Sequence, residues 1–156
     1  MNFIRMPLLL LLLQSLVSCT SNRGSEKPKS WEKDFTIIVS EAGGMKDEAT
    51  TITFTYDSCN YVKREGILKT TNSYKLNDSD RSEILKKLEE FKADKIRSIT
   101  TPVINDKESI HICFYDKKEH CISDGATSEI HKDDIENFFK VYSYLSDFAK
   151  QKNNIN

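Results

Sequence analysis

Two short stretches place apolar side chains on every second residue. In Phe35-Thr36-Ile37-Ile38-Val39, Phe35, Ile37 and Val39 fall on one side and Thr36 and Ile38 on the other. In Thr51-Ile52-Thr53-Phe54-Thr55-Tyr56, Ile52, Phe54 and Tyr56 stand opposite threonines. Side chains alternate across an extended chain, so this period, with its β-branched and aromatic content, requires strands whose apolar face must be covered by another layer. Gly43-Gly44 between them supplies the turn of a hairpin.

The rest of the chain follows from that start. Asp57-Ser58-Cys59-Asn60 is expected as a second turn, and Tyr61-Val62 with Ile67 to Leu76 as one or two more strands around Gly66. In LNDSDRSEILKKLEEF the leading Asn and Asp can cap a helix that sets Ile84, Leu85, Leu88 and Phe91 along one face. Ser109 to Phe114 points Ile110, Ile112 and Phe114 one way and His111 and Cys113 the other. A turn through Asp116 to Glu119 returns the chain along His120-Cys121-Ile122. From about Asp133 to Lys150 the positions Ile135, Phe138, Phe139, Tyr142, Leu145 and Ala149 keep helical spacing, and Val141 and Phe148 widen the stripe enough to cover a sheet. Tyr144 falls on the polar side of that helix, where it could touch a partner, and Trp31 is expected to start the core.

The order is strands, helix, strand hairpin, helix. Grouped strands favour an antiparallel sheet over a parallel one, giving an α+β fold of about five or six strands with two helices packed on one face. The other face would stay open, carrying the threonines with His111 and Cys113.

Upstream, Arg5 precedes an apolar run from Leu8 to Leu13 that continues through Leu16-Val17. About a dozen residues reach roughly 18 Å as a helix, short of the roughly 30 Å hydrocarbon core, so the run has the form of a signal peptide and not of a membrane span. It ends in Leu16-Val17-Ser18-Cys19. This stretch resembles the signal of bacterial lipoproteins, an aliphatic residue, a variable one, a small one and then cysteine. The resemblance implies cleavage before Cys19, a diacylglycerol on its sulfur and acylation of the new N-terminus, an anchor of several chains. Thr20 in place of Asp implies the outer membrane in a Gram-negative cell. The alternative is an ordinary secretory signal with Cys19 a plain thiol.

These boundaries give a signal over residues 1–18, a lipidated cysteine and flexible tether over 19–30, one domain over 31–152 and a frayed tail over 153–156. Lys and Arg number 23 against 24 acids, so no basic footprint for nucleic acid is expected.

Cys59, Cys113 and Cys121 remain, in a compartment where disulfides persist. A three-residue loop centred on Lys117 would set Cys113 opposite Cys121 for a cross-strand bond, with pairing to Cys59 the rival. His111, Cys113 and Cys121 also define a copper or zinc alternative, because soft thiolates with imidazole suit either metal. Asp78-Ser79-Asp80-Arg81-Ser82 with Glu89 copies calcium-loop spacing but holds Glu83 where that loop needs glycine, so helix capping is the better reading. No Gly-x-Ser-x-Gly elbow or phosphate loop occurs, His111, His120 and His131 have no evident catalytic partner, and Glu89-Glu90 and Asp133-Asp134 diverge on helices. No catalytic residue is assigned, and no cofactor beyond the covalent lipid is expected. The expectation is a non-enzymatic binding module held to the bacterial cell envelope through its lipid, meeting the membrane and another envelope protein.

Overall fold

The computed structural model describes residues 30–43, 47–104, 106–117 and 119–154. The lipoprotein-like signal and Cys19 lie outside the described residues. Six strands form one antiparallel sheet: β1 (Thr36–Gly43), β2 (Glu48–Phe54), β3 (Ser58–Glu65), β4 (Leu68–Lys75), β6 (Glu108–Tyr115) and β7 (Glu119–Asp124), in the spatial order β4-β3-β2-β1-β6-β7. Helix α1 (Asp78–Glu90) follows β4, and α2 (Ile135–Lys152) ends the fold. The architecture is α+β, as the grouping of strands and helices requires.

Alternation decides which face is covered. Ile37 and Val39 from β1, Ile52 and Phe54 from β2, Cys59 and Tyr61 from β3, Ile112 from β6 and Ile122 from β7 are all buried. Against them pack Phe138, Val141, Leu145, Phe148 and Ala149 of α2, with Ile84 and Leu88 of α1 beside it. Each fully buried Ile, Leu or Phe contributes about 1.5–3 kcal/mol from water exclusion, and this layer is the main source of stability. Among the described residues, every buried apolar side chain lies between Trp31 and Ala149. Trp31 starts it, its indole N–H donating to the Phe35 carbonyl at 3.1 Å.

Helix α1 begins with a reciprocal cap. The Asn77 side chain accepts from the Asp80 N–H at 2.9 Å, and Asp80 accepts from the Asn77 N–H at 3.1 Å, satisfying two donors that a helix start leaves open. The calcium-like spacing is thus a helix cap. Asp80 is also buried and pairs with Lys152 at 2.8 Å, tying the start of α1 to the end of α2. Arg81 lies 4.0 Å above the Tyr56 ring and donates to the Tyr56 carbonyl at 2.6 Å, locking α1 to the β2–β3 turn.

Several local expectations shift. The second turn is tighter and earlier than Asp57 to Asn60: the Thr55 N–H donates to the Ser58 carbonyl at 2.8 Å, so only Tyr56 and Asp57 sit at the reversal, and Cys59 and Asn60 are strand. Two three-residue strands, β5 (Ser98–Thr100) and β8 (Ser128–Ile130), pair in a small second sheet, and Ala93–Lys95 forms one 3₁₀ turn. In α2 the stripe is rotated from its expected position. Ile135 and Phe139 are exposed, whereas Ser146 is buried, and the covered arc is centred on Phe138, Val141, Leu145 and Phe148. Tyr144 is not free on a polar side: its ring meets Phe91 and Phe148 at 6.2 and 6.1 Å, in the seam between α1 and α2. Tyr142 donates to Glu41 across the layer, and burial together with that carboxylate holds its hydroxyl well above the usual phenol range.

Candidate functional site

The ladders define the uncovered face row by row. One row runs Cys121, Cys113, Ile38, Thr53, Asn60, Ser73 across all six strands. The next runs Ser123, His111, Ser40, Thr51, Val62, Thr71, and a third runs Ser109, Ala42, Ala49, Arg64, Lys69. No helix covers these positions, which are half-buried or exposed. Short hydroxyl and amide groups dominate, and they bond along the face: Ser73 donates to Asn60 at 2.7 Å, and the Asn60 amide donates to Ser58 at 3.1 Å. The face is therefore polar and its side chains are held at fixed spacing by the backbone ladders.

Cys113 and Cys121 form a disulfide on this face, Cα atoms 4.1 Å apart, from the directly opposed pairing that the loop centred on Lys117 predicts. Tyr115 opposes Glu119 across that loop. His111 stands one row away, between Ser40 and Ser123. Among the described residues, the side chains that gather with metal-ligand spacing are Cys113, Glu119 and Cys121, whose ligand atoms lie within 4.8 Å of one another. Glu119, not His111, completes that group, and both sulfurs are committed to their mutual bond. Glu119 lies two residues before Cys121 in β7, so alternation puts both on one face; the turn expected through Glu119 leaves it out of the strand.

Cys59 takes no part. It lies on the covered face at the foot of β3, and burial pushes its thiol up to about 12, against a hydrogen bond with Asn153 that pulls the other way. Such a thiol is a small apolar core group at neutral pH. The histidines are scattered: His120 stacks on Phe114 at 6.2 Å, and His131 approaches Arg97 at 3.1 Å. Asp133 and Asp134 both face Arg97, and the side-chain hydrogen bond from Arg97 draws the Asp134 carboxyl below its usual range.

A groove of about 810 Å³ lies between Trp31, Tyr56 and the outer side of α1. Arg81, Glu89, Lys86, Lys92 and Lys95 line it in mixed charge, and Arg81 is already bonded to the Tyr56 carbonyl and to Asp78. This groove adjoins Ser30, where the candidate tether joins the fold. No helix among the described residues is long and apolar enough to cross a membrane. No protein-family model matches this chain, and no curated protein matches it either.

Proposed function

We propose that this chain is a lipid-anchored binding module of the bacterial cell envelope, attached to the outer membrane through an acylated Cys19 and offering the open sheet face to another envelope protein. The observation that carries the binding reading is the asymmetry of the sheet. One face is filled by α2 and its neighbours, while short polar side chains on the other are left without a helix over them, the 125–128 turn meeting only Ser109 and Ser123 at the β6–β7 corner. The disulfide fixes the β6–β7 edge of that face. The anchor rests on Leu16-Val17-Ser18-Cys19 and supplies no catalytic group, and the clustered titratable residues on the fold are engaged in caps, ion pairs and stacking.

Cys19→Ser tests the anchor: the variant should leave the membrane fraction or stay uncut, and unchanged fractionation and mass would overturn the reading. Thr51→Arg with Thr53→Arg tests the face. A partner cross-linked to the native protein in the envelope should be lost with the pair, and equal capture by both proteins would remove the face from consideration. Turnover of an envelope substrate that vanishes with one side-chain change would overturn the non-enzymatic reading.

A copper or zinc role is the second reading, supported by the approach of Glu119 to both sulfurs. It requires the disulfide to open, releasing two thiolates beside Glu119 with His111 one row away. Native mass spectra with and without reductant decide it: a stoichiometric metal on the reduced chain supports the role, and a metal-free reduced chain in the presence of both ions removes it.

A further inference from the structure

The β3–β4 hairpin ends in an unusual tip. Gly66, at φ +57°, takes the first position of a two-residue reversal and Ile67 the second. Ile67 is 101% exposed and Leu68 67% exposed, so neither apolar side chain contributes to the core. Turn positions of this kind ordinarily hold Asn, Ser, Asp or Gly, which water accommodates. Directly behind the tip, Arg64 and Lys69 are cross-strand partners on the open face. Like charges placed directly opposite destabilise a sheet, yet neither residue has an ion pair among the described residues. Lys75 stands on the same face but at the far end of β4, beside the β2–β3 turn. Behind the tip the open face thus carries two cations and no acid, while on the covered side Leu68 opposes Glu65, Lys63 is paired with Glu48 and Glu65, and the Asp47 carboxylate lies beside Gly66. Apolar residues at a protruding turn, backed by unpaired Arg and Lys, match the layering of a membrane interface, where hydrocarbon lies just beneath anionic phosphates.

We propose that the β3–β4 hairpin docks on an anionic lipid surface, with Ile67 and Leu68 entering the interfacial layer and Arg64 and Lys69 pairing with headgroup phosphates. The geometry permits this for a tethered domain. The tip lies at the end of the sheet away from Ser30, since Glu65 pairs with Glu48 near the β1–β2 loop while Trp31 sits beside the start of β1. An eight-residue strand spans about 26 Å, and the eleven residues from Cys19 to the start of the fold can extend to roughly 36 Å. The tether is therefore long enough for the hairpin to lie on the bilayer that holds the anchor, leaving the disulfide-bearing part of the face outward. The contact itself is independent of acylation, and its test can omit Cys19 altogether.

Residues 30–156, which hold every buried apolar side chain among the described residues and whose fold circular dichroism checks first, are mixed with vesicles of phosphatidylcholine alone or with phosphatidylglycerol and sedimented. The native domain should pellet with the anionic vesicles, release at high salt and ignore the neutral ones. Each basic side chain near an anionic surface contributes roughly a fivefold factor in partition, so Arg64→Gln with Lys69→Gln should weaken binding about 25-fold. Ile67→Ser with Leu68→Ser should weaken it by at least tenfold without changing the salt dependence. Lys86→Gln with Lys95→Gln, on the groove at the other end, should change it little. All six positions are exposed, and circular dichroism of each variant confirms the fold before binding is read. Absence of binding to anionic vesicles overturns the proposal, as does binding insensitive to the hairpin pairs, or loss with Lys86→Gln and Lys95→Gln instead. Binding to soluble polyglutamate in preference to the vesicles would overturn it in favour of an acidic protein partner.

Discussion

Removing the Cys113 to Cys121 bond is the perturbation whose size the structure sets most directly. The two cysteines are eight residues apart and close a short hairpin. Loop-closure entropy for a ring of that length is on the order of 8 cal/mol/K, or about 2.5 kcal/mol at 25 °C. Cys113→Ala with Cys121→Ala should therefore lower unfolding free energy by about 2.5 kcal/mol, and reductant should lower the native protein by a similar amount while leaving the variant unchanged. For a fold of this size the loss corresponds to a Tm fall on the order of 8–12 °C. Urea denaturation followed by tryptophan fluorescence reads it, since Trp31 is the single tryptophan and belongs to the core. A loss under 0.5 kcal/mol, or equal sensitivity of native and variant to reductant, would overturn the assignment of this bond as a staple for the β6–β7 edge.

Gly125→Ala should cost about 1–3 kcal/mol, because an added Cβ would sit 2.3 Å from the Ser109 hydroxyl and 3.0 Å from its Cα. Ser109→Gly in the same chain should recover part of that loss in a thermal melt. Cys59 should resist thiol reagents in the native protein at pH 8 and react fully once unfolded, as its thiol is pushed up to about 12; rapid native labelling would show that the core opens at β3. Burial by itself pushes Asp80 up, but Lys152 and the Asn77 N–H outweigh it and leave the carboxyl below its usual range. Its stabilising effect is therefore present above the unfolded carboxylate value, near pH 4, and is lost as pH falls through the lower folded value. Asp80→Asn should lower stability at neutral pH and flatten the acid limb of a stability profile, and an unchanged limb would remove Asp80 from the acid response.

The sheet was legible because its strands obey a strict period of two, which assigned Ile37, Val39, Ile52, Phe54 and Ile112 to one face before any contact was known. The disulfide was legible for a related reason: an odd-length loop between two strands sets which residues oppose, and a three-residue loop places Cys113 against Cys121. Strands β5 and β8 were not legible, since three residues are too few to show a period and each is held by the other across a long separation. The stripe on α2 was read with Ile135 and Phe139 in it because periodicity reports which residues share a face, not which arc of the helix is covered. The open face followed from alternation, but the opposition of Arg64 and Lys69 depends on the register of β3 and β4, which Gly66 sets through its left-handed turn. Asp80 and Arg81 were legible as part of a helix cap, but not as buried groups. Their burial comes from the turn at Tyr56 and the end of α2, neither of which is near them in sequence.

The most direct measurement is the intact mass of the protein recovered from the membrane fraction of a Gram-negative host expressing the full chain. A lipid-anchored envelope module should begin at Cys19 and carry the added mass of a diacylglycerol and a further acyl chain. A chain that begins elsewhere, or that begins at Cys19 with no added mass, would rule out the anchor and place the open face in a different setting.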